Sequence, residues 1–189
     1  MYPRMKTSHP QSTRSARPAP IKPAVIWFTG LSGAGKSTIA EALVDALAAR
    51  GENIEYLDGD RVRAAFPATG FTKEARDEHI QRIGFIASLL EKHGVIVVCS
   101  FVSPYRAARD RVRDMCQRFI EVYVATPLEE CERRDVKGLY AKARSGAIPN
   151  FTGVSDPYEP PLQPELAIDT TRLSVDEAVA ATIAVLERG

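Results

Sequence analysis

No stretch of this sequence approaches the ~20 consecutive apolar residues that a membrane span requires. The longest, such as Val95–Cys99, suit buried strands instead. Cysteine is scarce: Cys99, Cys116 and Cys131 stand far apart with no Cys-x-x-Cys pair, and His9, His79 and His93 are equally scattered. That spacing excludes a zinc site and points to buried thiols in a reducing, cytoplasmic setting. Acids are missing from the first forty residues, Glu41 being the first. Residues 1–23 therefore carry Arg4, Lys6, Arg14, Arg17 and Lys22 uncompensated, a charge of +5, so that the overall +1 leaves the rest of the chain at −4. A near-neutral total argues against nucleic acid as a partner. The same segment is broken by Pro3, Pro10, Pro18, Pro20 and Pro23 and has no apolar core of a secretory signal, so 1–23 is expected to be a disordered basic tail.

From Ala24 the pattern changes to alternating strand and helix. Ala24–Thr29 is a continuous apolar run, as a central parallel strand requires. Ser37–Arg50 places Ile39, Leu43, Ala46 and Leu47 on one helical face and is stopped by Gly51. Ile54–Leu57 and Val95–Cys99 read as strands. Between them Thr72 caps a helix reaching about His93, with Ile80, Ile83, Ala87 and Leu90 on one stripe. A helix over Arg106–Arg118, a strand over Phe119–Val124 and a helix opened by Pro127 follow. Residues 136–165 break the rhythm with glycines and prolines and are expected to form a lid, about 136–161. Leu166–Ile168 is a last strand, and Ser174–Glu177 a capping box for a C-terminal helix. This alternation predicts an α/β domain over 24–189, a parallel sheet with helices on both faces.

The strongest local signal is Gly30-Leu31-Ser32-Gly33-Ala34-Gly35-Lys36-Ser37, which fits G-x-x-x-x-G-K-[ST] at every position, between an apolar strand and an amphipathic helix. Glycines let backbone N–H groups turn toward phosphate oxygens, and the helix adds its positive end. Lys36 reaches the terminal phosphates, and the Ser37 hydroxyl completes the coordination of Mg²⁺. Nucleotide binding follows from the residues Gly30 to Thr38. Only two asparagines exist, Asn53 and Asn150, and neither precedes lysine, so the guanine-reading element of GTPases is missing. The third strand ends in Cys99-Ser100 without the acid of large ATPase motors. The acids available are Asp58 and Asp60 at the end of the second strand, where parallel sheets meet their ligands. An acid there can hold a Mg²⁺ water or take the proton of an attacking hydroxyl. The expected metal set is Ser37 with Asp60. Basic side chains at element ends (Arg63, Arg76, Arg106, Arg109, Lys137) suit an anionic acceptor.

At this point the chain resembles the adenylyl-sulfate kinase (APS kinase) family over about residues 23–187. The likeness is carried by Gly30–Thr38, Leu57-Asp-Gly-Asp-Arg-Val-Arg63, Gly70-Phe-Thr72 with Arg76, and Ser100–Arg106. Phe119–Tyr123, Pro127–Asp135 with Lys137–Tyr140, Phe151-Thr-Gly153 and Asp156–Glu159 complete it. The resemblance implies a phosphate-loop NTPase-type fold and transfer of the ATP γ-phosphate to the 3′-hydroxyl of adenylyl sulfate in sulfate assimilation. It implies that Asp60 positions that hydroxyl or takes its proton. Arg63 and Arg76 would hold the phosphosulfate, and Phe71 and Phe151 would sandwich the acceptor adenine. Lys137 would belong to the lid, and Ser103 would be a phosphorylated intermediate. His79 stands where the family commonly has Asn, so acceptor affinity is expected to vary with pH between about 5.5 and 8. A homodimer and functional coupling to an ATP sulfurylase are implied in the same way. The alternatives are a kinase for another small acceptor, such as a nucleoside or sugar acid, and a non-catalytic nucleotide-binding module. Intact Lys36, Ser37 and Asp60 speak against the last.

Overall fold

The computed structural model describes residues 21–66, 70 and 72–188. The expected tail up to residue 20, and Phe71, lie outside the described residues. Five strands, β1 (Val25–Thr29), β2 (Ile54–Asp58), β3 (Ile96–Ser100), β4 (Phe119–Val124) and β5 (Leu166–Ile168), form one parallel sheet in the order β2-β3-β1-β4-β5. All four pairings are parallel, as the alternating pattern predicts. Among the described residues seven helices are interleaved: α1 (Lys36–Ala49), α2 (Gly59–Ala65), α3 (Lys73–Lys92), α4 (Arg106–Met115), α5 (Leu128–Arg134), α6 (Leu139–Arg144) and α7 (Val175–Glu187).

The central strand shows why a continuous apolar run was needed. Ala24, Ile26 and Phe28 face one core layer with α1 and α7, while Val25 and Trp27 face the other with α3 and α4. Every residue of β1 is buried, so neither face of the strand meets water. Trp27 anchors the second layer, stacked on Phe101 at 5.3 Å and tilted on Phe119 at 6.1 Å. Gly84 lets α3 approach α4: a Cβ there would lie 2.5 Å from Val112 Cγ2.

Two helices were not anticipated. α2 grows from Leu57-Asp-Gly-Asp because the Asp58 carboxylate accepts the N–H groups of Asp60 and Arg61, capping what reads in sequence as a turn. α6 is a turn and a half between Gly138 and Gly146, its first N–H groups accepted by Asp135. α4 stops at Met115, short of the expected Arg118, because the buried Glu91 carboxylate captures the N–H groups of Gln117 and Arg118. The tail gives way before residue 23: Ile21 is partly buried against the core, and its N–H donates to Glu52 Oε1 at 3.3 Å.

Candidate active site

The carboxyl ends of β1, β2, β3 and β4 converge on one edge of the sheet, and the phosphate loop rises from β1 at its centre. Gly30 has φ 150°, and a Cβ on it would sit 2.6 Å from the Val124 carbonyl oxygen. Gly33 and Gly35 are also at positive φ, 74° and 104°. Three consecutive loop carbonyls face donors outside it. Ser32 O accepts from Tyr140 Oη at 2.9 Å and Gly33 O from Arg134 at 3.4 Å. Ala34 O accepts from Thr126 and Thr170 at 2.9 and 3.1 Å. Since a trans peptide points its N–H opposite to its carbonyl, this outer brace turns the amides toward the loop's hollow. The α1 helix that follows begins at Gly35 with no side-chain cap and no acid in its first turn, unlike α3 and α7, which Thr72 and Ser174 cap. Its N-terminal donors are left for an anion. Lys36 donates to Leu31 O at 2.7 Å across the hollow, and burial lowers its pKa to about 8.

Beside the loop, Ser37 Oγ donates to Asp58 Oδ2 at 3.4 Å and lies 3.4 Å from Ser100 Oγ. Asp58 and Ser100 are register partners on β2 and β3. Asp60 is turned away, exposed and ion-paired with Lys137. Of the two acids it is Asp58 that accepts from Ser37, whereas Asp60, the acid of the expected metal pair, is joined to Lys137 instead. Two hydroxyls and a carboxylate are hard oxygen donors without imidazole or thiolate, which fits Mg²⁺ sharing waters and substrate phosphates. Among the described residues no group of three or more His, Cys, Asp or Glu could hold a metal alone.

On the far side of α2, Arg63 is half-buried, and burial together with the neighbouring Arg76 charge lowers its pKa. Arg76 is buried and bonded to the segment after α6, to Asn150 O, Thr152 Oγ1 and Asp156 Oδ2. Phe151 meets Tyr140 edge-on at 5.1 Å. His79 is 1% exposed, edge-on to Phe101 at 6.1 Å, and its Nε2 has no partner in the protein. Burial, reinforced by Arg63 and Arg82, pushes its pKa down to about 4. In the free protein it is therefore neutral from pH 5.5 to 8, which speaks against the pH-dependent acceptor affinity expected in that range.

Ser103 is corrected as well. It is 2% exposed, at φ 38°, accepts from Trp27 Nε1 at 3.0 Å and donates to Thr29 Oγ1 at 3.0 Å. Its carbonyl accepts from Arg109, which also bonds Glu121 and Glu159 O. A hydroxyl so enclosed has no room for a phosphoryl group; it packs the loop before Arg106.

The brace of Arg134, Tyr140, Thr126 and Thr170 was not singled out. Asp58 was visible as one of two acids; the brace had no local signal beyond the Pro127–Tyr140 block. Arg134 and Thr170, with Leu173, Ser174 and Val175, line a groove of about 310 Å³ running outward from Gly35.

A braced phosphate loop, an uncapped helix end and an acid at the neighbouring strand end, on an all-parallel sheet, define a phosphate-loop nucleotide-binding domain of the kinase type. Residues 22–169 match the family model for adenylylsulphate kinase, and the chain belongs to that family. It is 53% identical over 167 residues to an adenylyl-sulfate kinase of Halothermothrix orenii, spanning 88% of this chain and 90% of that protein. The APS kinase of Mycobacterium tuberculosis, solved in complex with AMPPNP and APS, superposes with a TM-score of 0.84 at 40% identity, over 89% of this chain and 99% of that one. A hexameric APS kinase from Thiobacillus denitrificans superposes at 0.68 and 38% identity, over 89% of this chain and 29% of that one.

Proposed function

We propose that this chain transfers the γ-phosphate of ATP to the 3′-hydroxyl of adenylyl sulfate, releasing ADP and 3′-phosphoadenylyl sulfate, in the cytoplasm. The observation that carries this reading is the braced loop with Asp58 on one side and Asp60 with Lys137 on the other, in a chain of the adenylylsulphate kinase family. Phosphoryl transfer asks the protein for position and charge more than for covalent chemistry. The loop amides and Lys36 hold the β- and γ-phosphates. The donor base extends along the groove between Arg134 and Leu173–Val175. Ser37 and Asp58 would hold Mg²⁺, directly or through its waters, and the ion when bound would supply charge neutralisation at the phosphates. Asp60 lies exposed near the mouth, where it orients the acceptor hydroxyl and takes its proton as the new P–O bond forms. Arg63 attracts the phosphosulfate, with Arg76 and His79 bordering the same site, and Phe71 and Phe151 flank the adenine. Lys137 must leave Asp60 when acceptor binds, and it then faces the phosphates from the lid.

No described helix is long and apolar enough to cross a membrane. A homodimer, and a functional link to the enzyme that makes adenylyl sulfate, are part of the same proposal. The test is ADP release coupled to a spectroscopic assay, with ATP, Mg²⁺ and adenylyl sulfate, and with nucleosides or gluconate as control acceptors. Acceptor-dependent ADP with adenylyl sulfate alone is the expected result; its absence refutes the proposal.

A further inference from the structure

Asp58 divides its two oxygens between two tasks. Oδ1 accepts the N–H groups of Asp60 and Arg61 at 3.0 and 3.1 Å, which caps α2. Oδ2 faces Ser37, whose Oγ donates to it at 3.4 Å. That second oxygen has another donor, outside the proposed machinery: the Tyr56 hydroxyl donates to it at 3.3 Å.

The strand places this donor. Tyr56 and Asp58 are two residues apart on β2, so both side chains leave the same face. β2 stands at the edge of the sheet, and Asp58 is level with Ser100 of β3, whose Oγ lies 3.4 Å from Ser37 Oγ. The Tyr56 ring is partly buried against the core layer that holds α1. Packing thus fixes the ring, and the ring fixes where its hydroxyl sits.

A carboxylate held through one oxygen keeps a broad torsion about its Cβ–Cγ bond. The cap on Oδ1 therefore anchors Asp58 but leaves the direction of Oδ2 loose. A second hydrogen bond, on Oδ2, sets the plane of the group. The kind of donor matters as well. Lysine or arginine in that place would orient the carboxylate and also offset the charge that binds a hard cation. A phenol, with a pKa of about 10, is a neutral donor at pH 7 and leaves that charge in place.

We infer that Tyr56 is a positioning residue of the phosphate site: its hydroxyl aims Asp58 Oδ2 at the metal side and leaves the carboxylate charged. The inference rests on Asp58 being the acid that serves Mg²⁺. Tyr56 acts through Asp58, as the hydrogen-bond partners of metal-side groups do in general, and losing such a partner costs about 10- to 100-fold in metal affinity or activity.

The test is Mn²⁺ binding to protein saturated with AMPPNP, read from the loss of the free-ion EPR signal, with no acceptor present and no turnover. Tyr56→Phe keeps the ring and removes the hydroxyl, and is expected to weaken Mn²⁺ binding about tenfold. Its Tm without nucleotide is expected to stay within about 4 °C of the wild type, because the cap on Oδ1 survives. Asp58→Asn keeps one acceptor oxygen for the cap and removes the charge. In that background Tyr56→Phe should add less than about twofold, because the oxygen it aims is gone. The inference is overturned if Tyr56→Phe leaves the affinity within about twofold while Asp58→Asn weakens it, or if the two effects multiply in full. A lowered Tm with unchanged affinity would make the hydroxyl a structural group and overturn it equally. If Asp58→Asn alone leaves Mn²⁺ binding unchanged, the metal-side reading of Asp58 fails and takes the inference with it, a result that the single variant tells apart from the others.

Discussion

Replacing Ser103 by alanine separates two readings of one hydroxyl. As a phosphorylated intermediate it would be indispensable, and turnover would fall by several orders of magnitude. As a packing group it governs stability instead. The structure gives the second effect a size. Alanine removes the acceptor of the Trp27 indole N–H, a donor buried beside Phe101 and Phe119. An orphaned buried donor costs about 1–3 kcal/mol. In a domain of this length, 1 kcal/mol corresponds to roughly 2–4 °C in Tm, so a loss of about 4–8 °C is expected for a cost near 2 kcal/mol. Thr29 also loses a donor but keeps Val102 O and Tyr158 as partners, which limits the damage beside the phosphate loop. Ser103→Gly should lose less, because glycine adopts φ 38° freely. The assays are a thermal melt and acceptor-dependent ADP release well below the new Tm. A lowered Tm with kcat within about threefold is expected. An unchanged Tm with kcat reduced a hundredfold or more would refute the argument and restore the phosphoserine.

Above pH 8 the buried Lys36 loses its proton in the free protein, whereas bound phosphates demand the charged form. ATP binding must then take up a proton, so the ATP KM should rise about tenfold per pH unit between about pH 8 and 10 and stay level below; a level profile throughout contradicts this. Burial makes His79 neutral down to about pH 5, so the acceptor KM should be flat from pH 5.5 to 8. The cost of that burial appears in stability: the unfolded chain binds a proton that the folded one refuses, so Tm should drop as pH falls from about 6.5 toward 4, and less so in His79→Gln. Gly84→Ala forces a methyl to within 2.5 Å of Val112, a stiff β-branched side chain. Overpacking of about 1–3 kcal/mol outweighs a gain in helix propensity of about 1 kcal/mol, so Tm should fall with both KM values unchanged, and Val112→Ala should reverse the loss.

What could be read without coordinates was whatever is local. The all-buried strand Val25–Thr29, the cap at Thr72 and the capping box at Ser174 each carry their signal within a few residues, and each is where it was expected. The phosphate loop belongs to the same class. What escaped depends on partners distant in sequence. α4 ends early because of Glu91, and Asp60 pairs with Lys137, 77 residues further on, rather than with Ser37. Ser103 looked chemical because it sits in a Ser-Pro-Tyr-Arg string, yet Trp27, seventy-six residues away, claims its hydroxyl. The loop's brace is of this kind too: four donors from 126 to 170 are unremarkable singly and meet only in the fold.

That same brace bears on how the chain reaches its native state. No two strands of the sheet are joined by a hairpin. Val25 pairs with Phe119 and Ile54 with Ile96, so each pairing closes a loop of roughly 40 to 90 residues before any contact rewards it. During synthesis the phosphate-loop sequence emerges early, but Thr126, Arg134, Tyr140 and Thr170 emerge long after it, and the loop's carbonyls have no donors until they do. Nucleotide binding is thereby tied to elements made late: a nascent chain ending before Thr126 carries the whole binding motif and none of the brace that shapes it.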